Sequence, residues 1–96
     1  MKSEKFIIGL GNPGKNYKNN RHNIGFLFVL EVAKKYGLKV TKKNKLLCNY
    51  CEYCINDINY RLFMPNTFMN NSGDSVKAII DWYKIPPEKL FVIVDD

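Results

Sequence analysis

Long apolar runs are missing from this sequence, acids are scarce in its first half, and histidine occurs once. No stretch approaches the roughly 18 consecutive apolar residues that a membrane helix needs, so no membrane span is expected. The opening Met1-Lys2-Ser3-Glu4-Lys5 runs straight into a short apolar segment, with neither a long apolar core nor a small-residue cleavage site behind it. That is not the pattern of a secretory leader, and a cytoplasmic location is the expectation. Residues 1–51 hold only two acids, Glu4 and Glu31, against eleven Lys and Arg, whereas residues 52–96 hold seven acids against four. The first half thus carries +9 and the second −3, within a net charge of +6. A face this poor in carboxylates attracts phosphates; a solvated lysine-rich surface gives the same composition.

Cysteine is also sparse, and its odd count in a chain without a leader argues against a disulfide framework. Cys48, Cys51 and Cys54 do form C-x-x-C-x-x-C, a spacing that invites a metal or cluster. Yet Leu46–Ile55 is apolar and aromatic, and reads as a strand. Alternation there puts Cys48 and Cys54 on one face and Cys51 on the other. No fourth cysteine exists and the one histidine is distant in sequence, so the three read as small packing residues.

What is present is a globular composition, 46% apolar and 14% aromatic over 96 residues, the size of one small domain. Lys5–Leu10 reads as a buried strand and Gly11-Asn12-Pro13-Gly14 as a turn. Ile24–Tyr36 is apolar on most faces and reads as a largely buried helix, with Asn23 at its N-cap, cations in its last turn and Gly37 after its end. Leu38–Lys45 is a basic connector or irregular strand. Leu46–Ile55 and Tyr60–Met64 form a hairpin around Asn56-Asp57-Ile58-Asn59, closed by Pro65. Ser72–Lys84 carries Val76, Ile79, Ile80 and Tyr83 at helical spacing, and Pro86-Pro87 breaks it. Leu90–Val94 reads as another buried strand. The order strand, helix, hairpin, helix, strand predicts an α/β fold with a mixed sheet flanked by helices.

Gly9-Leu10-Gly11-Asn12-Pro13-Gly14 matches G-x-G-x-x-G behind a strand. A dinucleotide site requires the helix to begin at those glycines and an acid at the end of a second strand. Here a charged loop intervenes and Glu31 falls inside the helix, so this reading is set aside. His22 follows that loop at the C-terminal end of a strand, where α/β sheets place ligands, among Lys15, Lys18 and Arg21. Asp95-Asp96 ends another strand. A carboxylate that accepts from one imidazole nitrogen leaves the other free as a base. Asn66-Thr67-Phe68-Met69-Asn70-Asn71-Ser72-Gly73 suits a turn before a helix, but Phe68-Met69 sets two large apolar groups in it. These pack inward or form a ledge for a base or an apolar ligand.

Taken together, Ile8-Gly9-Leu10-Gly11-Asn12-Pro13-Gly14-Lys15-Asn16-Tyr17, Asn20-Arg21-His22-Asn23-Ile24-Gly25, Pro65–Gly73 and Leu90–Asp96 resemble the bacterial type of peptidyl-tRNA hydrolase, in order and in spacing. The resemblance implies a cytosolic, monomeric enzyme that cleaves the ester between peptide and tRNA and needs no metal or organic cofactor. It implies His22 as general base, Asp96 as the carboxylate that orients it, and Asn12 as the group that tells a blocked α-amino group from a free one. It places Tyr17, Phe68 and Asn70 against the tRNA 3′ end, with Met69 lining the same groove, and gives the basic half the phosphates of the acceptor stem as partner. Chains of this family are about twice as long. Residues 1–96 are therefore expected to be part of one hydrolase domain, to have little activity alone, and to associate through an open edge. A non-catalytic RNA-binding module is the alternative.

Overall fold

The structure is a computed structural model that describes residues 3–11, 24–66 and 72–93. Five strands are present among them: β1 (Ser3–Gly9), β2 (Thr41–Lys43), β3 (Cys48–Ile55), β4 (Ile58–Pro65) and β5 (Leu90–Ile93). They form one sheet in the order β2-β3-β4-β1-β5. β1 runs parallel to both β4 and β5, whereas β2–β3 and β3–β4 are antiparallel, so the sheet is mixed as expected.

Two helices, α1 (Ile24–Tyr36) and α2 (Ser72–Tyr83), cover opposite faces. The two-residue period of the strands divides the core between them. Phe6, Ile8, Cys48, Tyr50 and Phe63 pack with Ile79 on the α2 side. Cys51, Leu62 and Met64 pack with Phe26, Val29 and Ala33 on the α1 side. Phe63, fully buried, has its ring centroid 5.1 Å from Tyr50 and 5.4 Å from Tyr83, joining β3, β4 and α2.

α1 ends where its sequence predicts. Gly37 takes a left-handed φ of 63°, which costs a residue without Cβ nothing. This lets Leu38 N–H donate to Ala33 O at 2.8 Å and Gly37 N–H to Lys34 O at 3.4 Å, a Schellman closure. The helix is less buried than its composition predicts: Ile24 and Phe28 are close to half exposed. One stripe, Phe26, Val29 and Ala33, is buried against the sheet, with Leu30 and Val32 partly buried beside it.

Three further expectations need correction. The hairpin turn is shorter than read: Asn56 and Asp57 alone form it, both with positive φ, and Ile58 already pairs with Ile55. Such a primed two-residue turn matches the twist of the strands, and Asn and Asp tolerate its backbone. β3 starts at Cys48, not Leu46. A 3₁₀ turn over Asn44–Leu46 sends Leu46 into the core, and Leu47 follows at φ 55°. β5 is an edge strand with Phe91 and Val92 nearly half exposed, not a buried one. Among the described residues it has one hydrogen-bonded neighbour, β1, and the Lys5 ammonium lies 5.4 Å from the Phe91 ring.

The cysteines alternate as read, but they do not share one environment. Cys48 and Cys51 are buried on opposite faces, while Cys54 is exposed. Burial pushes the Cys48 thiol up to about 11 and raises that of Cys51, which withholds the reactive thiolate. Iodoacetamide at neutral pH is therefore expected to alkylate the folded chain once, at Cys54, and all three thiols only in denaturant. Peptide mapping that finds Cys48 modified at a comparable rate would contradict this packing.

Candidate functional site

The C-terminal ends of β4, β1 and β5 lie side by side and point the same way. In open α/β sheets this rim is where ligands collect, because the loops that leave it are free of the core. Gly9 pairs with Ile93 across it, and Leu10 N–H donates to Ile93 O at 2.9 Å.

α1 begins on top of this rim. A Cβ added to Gly25 would lie 2.4 Å from Leu10 N and 2.6 Å from Ile93 O, and one added to Gly9 would lie 2.3 Å from Gly25 O. Two glycines thus let three backbones meet without side chains between them. The first turn of α1 holds no acid. Its dipole therefore places positive potential at the rim that no acid of that turn offsets.

α2 begins beside the end of β4 and is pinned there by a buried hydroxyl. Ser75 Oγ donates to Leu46 O at 2.8 Å and lies 3.2 Å from Leu47 O. Leu47 O also accepts from Asn66 N–H at 2.7 Å. The left-handed Leu47 turns its carbonyl toward both partners, so one residue ties the start of α2 to the exit of β4. Ser75 is fully buried, and such a hydroxyl requires these acceptors.

The far end of β1 is held by different chemistry. Arg61 Nε donates to Glu4 Oε1 at 2.8 Å and its Nη1 to Tyr50 Oη at 2.7 Å, with the guanidinium 5.2 Å from the Tyr83 ring. The hydrogen bond from Arg61 holds the Glu4 carboxyl below its ordinary range. This network belongs to the fold, not to the rim.

The residues singled out in the sequence, Asn12, Tyr17, His22, Phe68, Met69, Asn70 and Asp96, all lie outside the described residues. Their anchors do not. Asn12, Tyr17 and His22 belong to the segment between Gly11 and Ile24. Phe68, Met69 and Asn70 belong to the one between Asn66 and Ser72. Asp96 follows Ile93. Every one of these flanking residues sits at the rim just described or in the first turn of a helix that starts there. Among the described residues no helix starts at the glycines: α1 spans Ile24–Tyr36, well past Gly14. No cluster of three or more His, Cys, Asp or Glu that would hold a metal occurs among the described residues, and no helix there is long and apolar enough to cross a membrane.

Positioning groups that sequence reading passed over are Ser75 and the Gly9–Gly25 contact. Ser75 carried a signal: it stands four residues before Ile79 on the buried stripe of α2, where a lone hydroxyl needs a partner.

Comparison with known proteins places this geometry. A family model described as peptidyl-tRNA hydrolase matches residues 6–96. The peptidyl-tRNA hydrolase of Prochlorococcus marinus subsp. pastoris is 65% identical over 94 residues, 98% of this chain and 46% of that protein. That of Synechococcus elongatus is 43% identical over 91 residues, 94% of this chain and 44% of the relative. Among solved structures, peptidyl-tRNA hydrolase from Acinetobacter baumannii superposes with a TM-score of 0.84 at 39% identity, covering 96% of this chain and 47% of that one. The chain spans about half the length of the curated relatives it matches.

Proposed function

Since the chain belongs to the peptidyl-tRNA hydrolase family, we propose that it forms part of a single hydrolase domain that cleaves the ester between peptide and tRNA. His22 takes a proton from a water molecule, whose oxygen attacks the ester carbonyl. The tetrahedral species collapses, the bond to the ribose oxygen breaks, and the proton passes to that oxygen. Peptide carboxylate and tRNA with a free ribose hydroxyl leave. Asp96 accepts from the other imidazole nitrogen and keeps His22 in its basic tautomer. Asn12 hydrogen-bonds the first peptide unit, a contact that a free ammonium does not satisfy. Tyr17, Phe68, Met69 and Asn70 take the 3′ end of the tRNA.

The observation that supports this reading is the meeting of Gly9, Gly25 and Ile93 at one rim. His22 precedes Gly25 by three residues and Asp96 follows Ile93 by three. Three residues reach at most about 10 Å, so base and carboxylate each depart from one of two touching anchors by no more than that. The surrounding charge suits the substrate, since residues 1–51 carry +9 against polyanionic RNA. We place the enzyme in the cytoplasm as a monomer that requires no metal.

The test is release of N-blocked amino acid from charged tRNA, by this chain and by a form extended to the length of its relatives, with unblocked aminoacyl-tRNA beside it. Turnover of the blocked ester alone by the extended form is expected. Absence of turnover in both, with RNA still bound, would replace hydrolysis by a binding role.

A further inference from the structure

A second feature lies away from the rim. Lys43, Asn44, Lys45, Leu46 and Trp82 line an open notch of about 210 Å³ where the 3₁₀ turn meets the C-terminal half of α2. This is below the roughly 300 Å³ at which pockets for drug-sized ligands begin. It suits one planar ring with its substituents and not a whole metabolite.

The composition of the notch is unusual. Trp82, the one tryptophan of the chain, is 61% exposed, although tryptophan is among the more buried residue types on average. Across the notch stand two cations, Lys43 and Lys45, with Asn44 and Leu46. Lys39, Lys42, Lys43 and Lys45 fall within seven residues, and no acid occurs between Glu31 and Glu52. Neither Lys43 nor Lys45 takes part in an ion pair among the described residues, where the ion pairs are those of Arg61. The Lys43 ammonium lies 4.7 Å from the Tyr50 ring, which holds it on the notch side of the sheet. Asp81 precedes Trp82 on α2, and Lys84 follows to offset it. An exposed indole flanked by ammonium groups that no described carboxylate neutralises is the combination that binds single-stranded nucleic acid: every base has a face to stack, and every nucleotide brings a phosphate.

The position fits a substrate that also occupies the rim. Ser75 ties the start of α2 to Leu46 and Leu47, and Leu47 binds Asn66 at the exit of β4. Trp82 is seven residues further along the helix, about 10 Å at 1.5 Å per residue. That distance is spanned by a few nucleotides of a single strand.

We propose that Lys43, Lys45 and Trp82 form an accessory RNA contact, in which an unpaired base stacks on the indole while the two ammonium groups take the adjoining phosphates. It rests on the tRNA reading above and adds to it a docking point separate from the reacting ester. The free-energy gain from one stacked base falls in the range of 1–3 kcal/mol seen for aromatic platforms, or about 5- to 150-fold in affinity.

Because Trp82 is the sole tryptophan, its emission reports the contact directly. An uncharged acceptor-stem minihelix RNA with a single-stranded 3′ end is titrated into the chain, with polyglutamate of equal charge as control. The expected results are quenching by the RNA alone and binding at least about 5-fold weaker in Trp82→Ala. Trp82→Phe, which keeps a ring, retains most of the affinity. In Lys43→Gln/Lys45→Gln the slope of log K against log salt falls by about 2. Far-ultraviolet circular dichroism checks that each exposed-site variant keeps its fold. RNA binding with unmoved emission and unchanged variants would overturn the notch while leaving hydrolysis intact. So would a loss confined to the lysine variant, which would reduce the feature to diffuse charge. Absence of RNA binding overturns the notch too, and the ester assay then decides hydrolysis separately.

Discussion

His22→Ala, in a form extended to the length of its relatives, is expected to lower kcat for ester hydrolysis by about 10²–10⁴-fold, the range that a positioned general base supplies. KM and RNA affinity should hardly change, because the proposed role of the imidazole is to act on water and not on the RNA. The reason to expect so large an effect from one residue is its placement. The segment that carries His22 runs into α1, and α1 is seated by Gly25 against Leu10 and Ile93. Asp96→Asn is expected to fall between wild type and His22→Ala, since an amide at that position leaves a base present but no longer favours its reactive tautomer. The pH–rate profile of His22→Ala should lose the limb on which His22 ionises, whereas that of Asp96→Asn should keep one. A His22→Ala variant that keeps kcat within about threefold of wild type would remove the general-base role, as the expected loss is at least 10²-fold.

The parts of this fold that were legible in the sequence are those set by local rules. The C-terminal end of α1 follows from Lys34-Lys35 and Gly37, because a Schellman closure is written in the residues that make it. The opposite facing of Cys48 and Cys51 follows from a period of two. The hairpin was legible in kind and wrong in length. Asn56-Asp57 carries the primed-turn signal alone, but Ile58-Asn59 looked polar enough to extend the loop until pairing with Cys54 and Ile55 fixed them in β4.

What was not legible depends on neighbours distant in sequence. An apolar run such as Leu90–Ile93 reads the same at the edge of a sheet as at its centre, and only the strand order decides its exposure. Leu46 looked like strand because it is apolar. Its backbone instead turns to reach Ser75, 29 residues away. The notch escaped for the same reason, since Lys43 and Lys45 meet Trp82 only after α2 folds back along the 3₁₀ turn. The motifs carry the family, and the site residues they mark lie outside the described residues. Composition and periodicity alone reached a basic α/β chain with a histidine behind a strand.

The seat of α1 gives the largest expected effect on stability. Gly25→Val places branched carbon atoms where Leu10 N, Leu10 O and Ile93 O already stand at 2.4–2.6 Å from an added Cβ. All three are backbone atoms of hydrogen-bonded strands, so no side chain can rotate aside. Either α1 lifts from the sheet or the β1–β5 pairing opens. Overpacking of this kind typically costs 1–3 kcal/mol and at times more, and an unyielding backbone puts this case at about 3 kcal/mol or above. A domain of this size has a total stability of roughly 5–14 kcal/mol at 0.05–0.15 kcal/mol per residue. The urea midpoint should therefore fall steeply at an unchanged m-value. Gly9→Ala meets the same contact from below, at 2.3 Å from Gly25 O. The pair should be clearly non-additive, because the first change already separates the surfaces. Gly73→Ala is the control: it is also helical, with nothing within 4 Å of the added carbon. It should leave stability unchanged or raise it by up to about 1 kcal/mol. A Gly25→Val chain as stable as the Gly73→Ala chain would mean that α1 does not rest on the rim, and the proposed common anchorage of His22 and Asp96 would go with it.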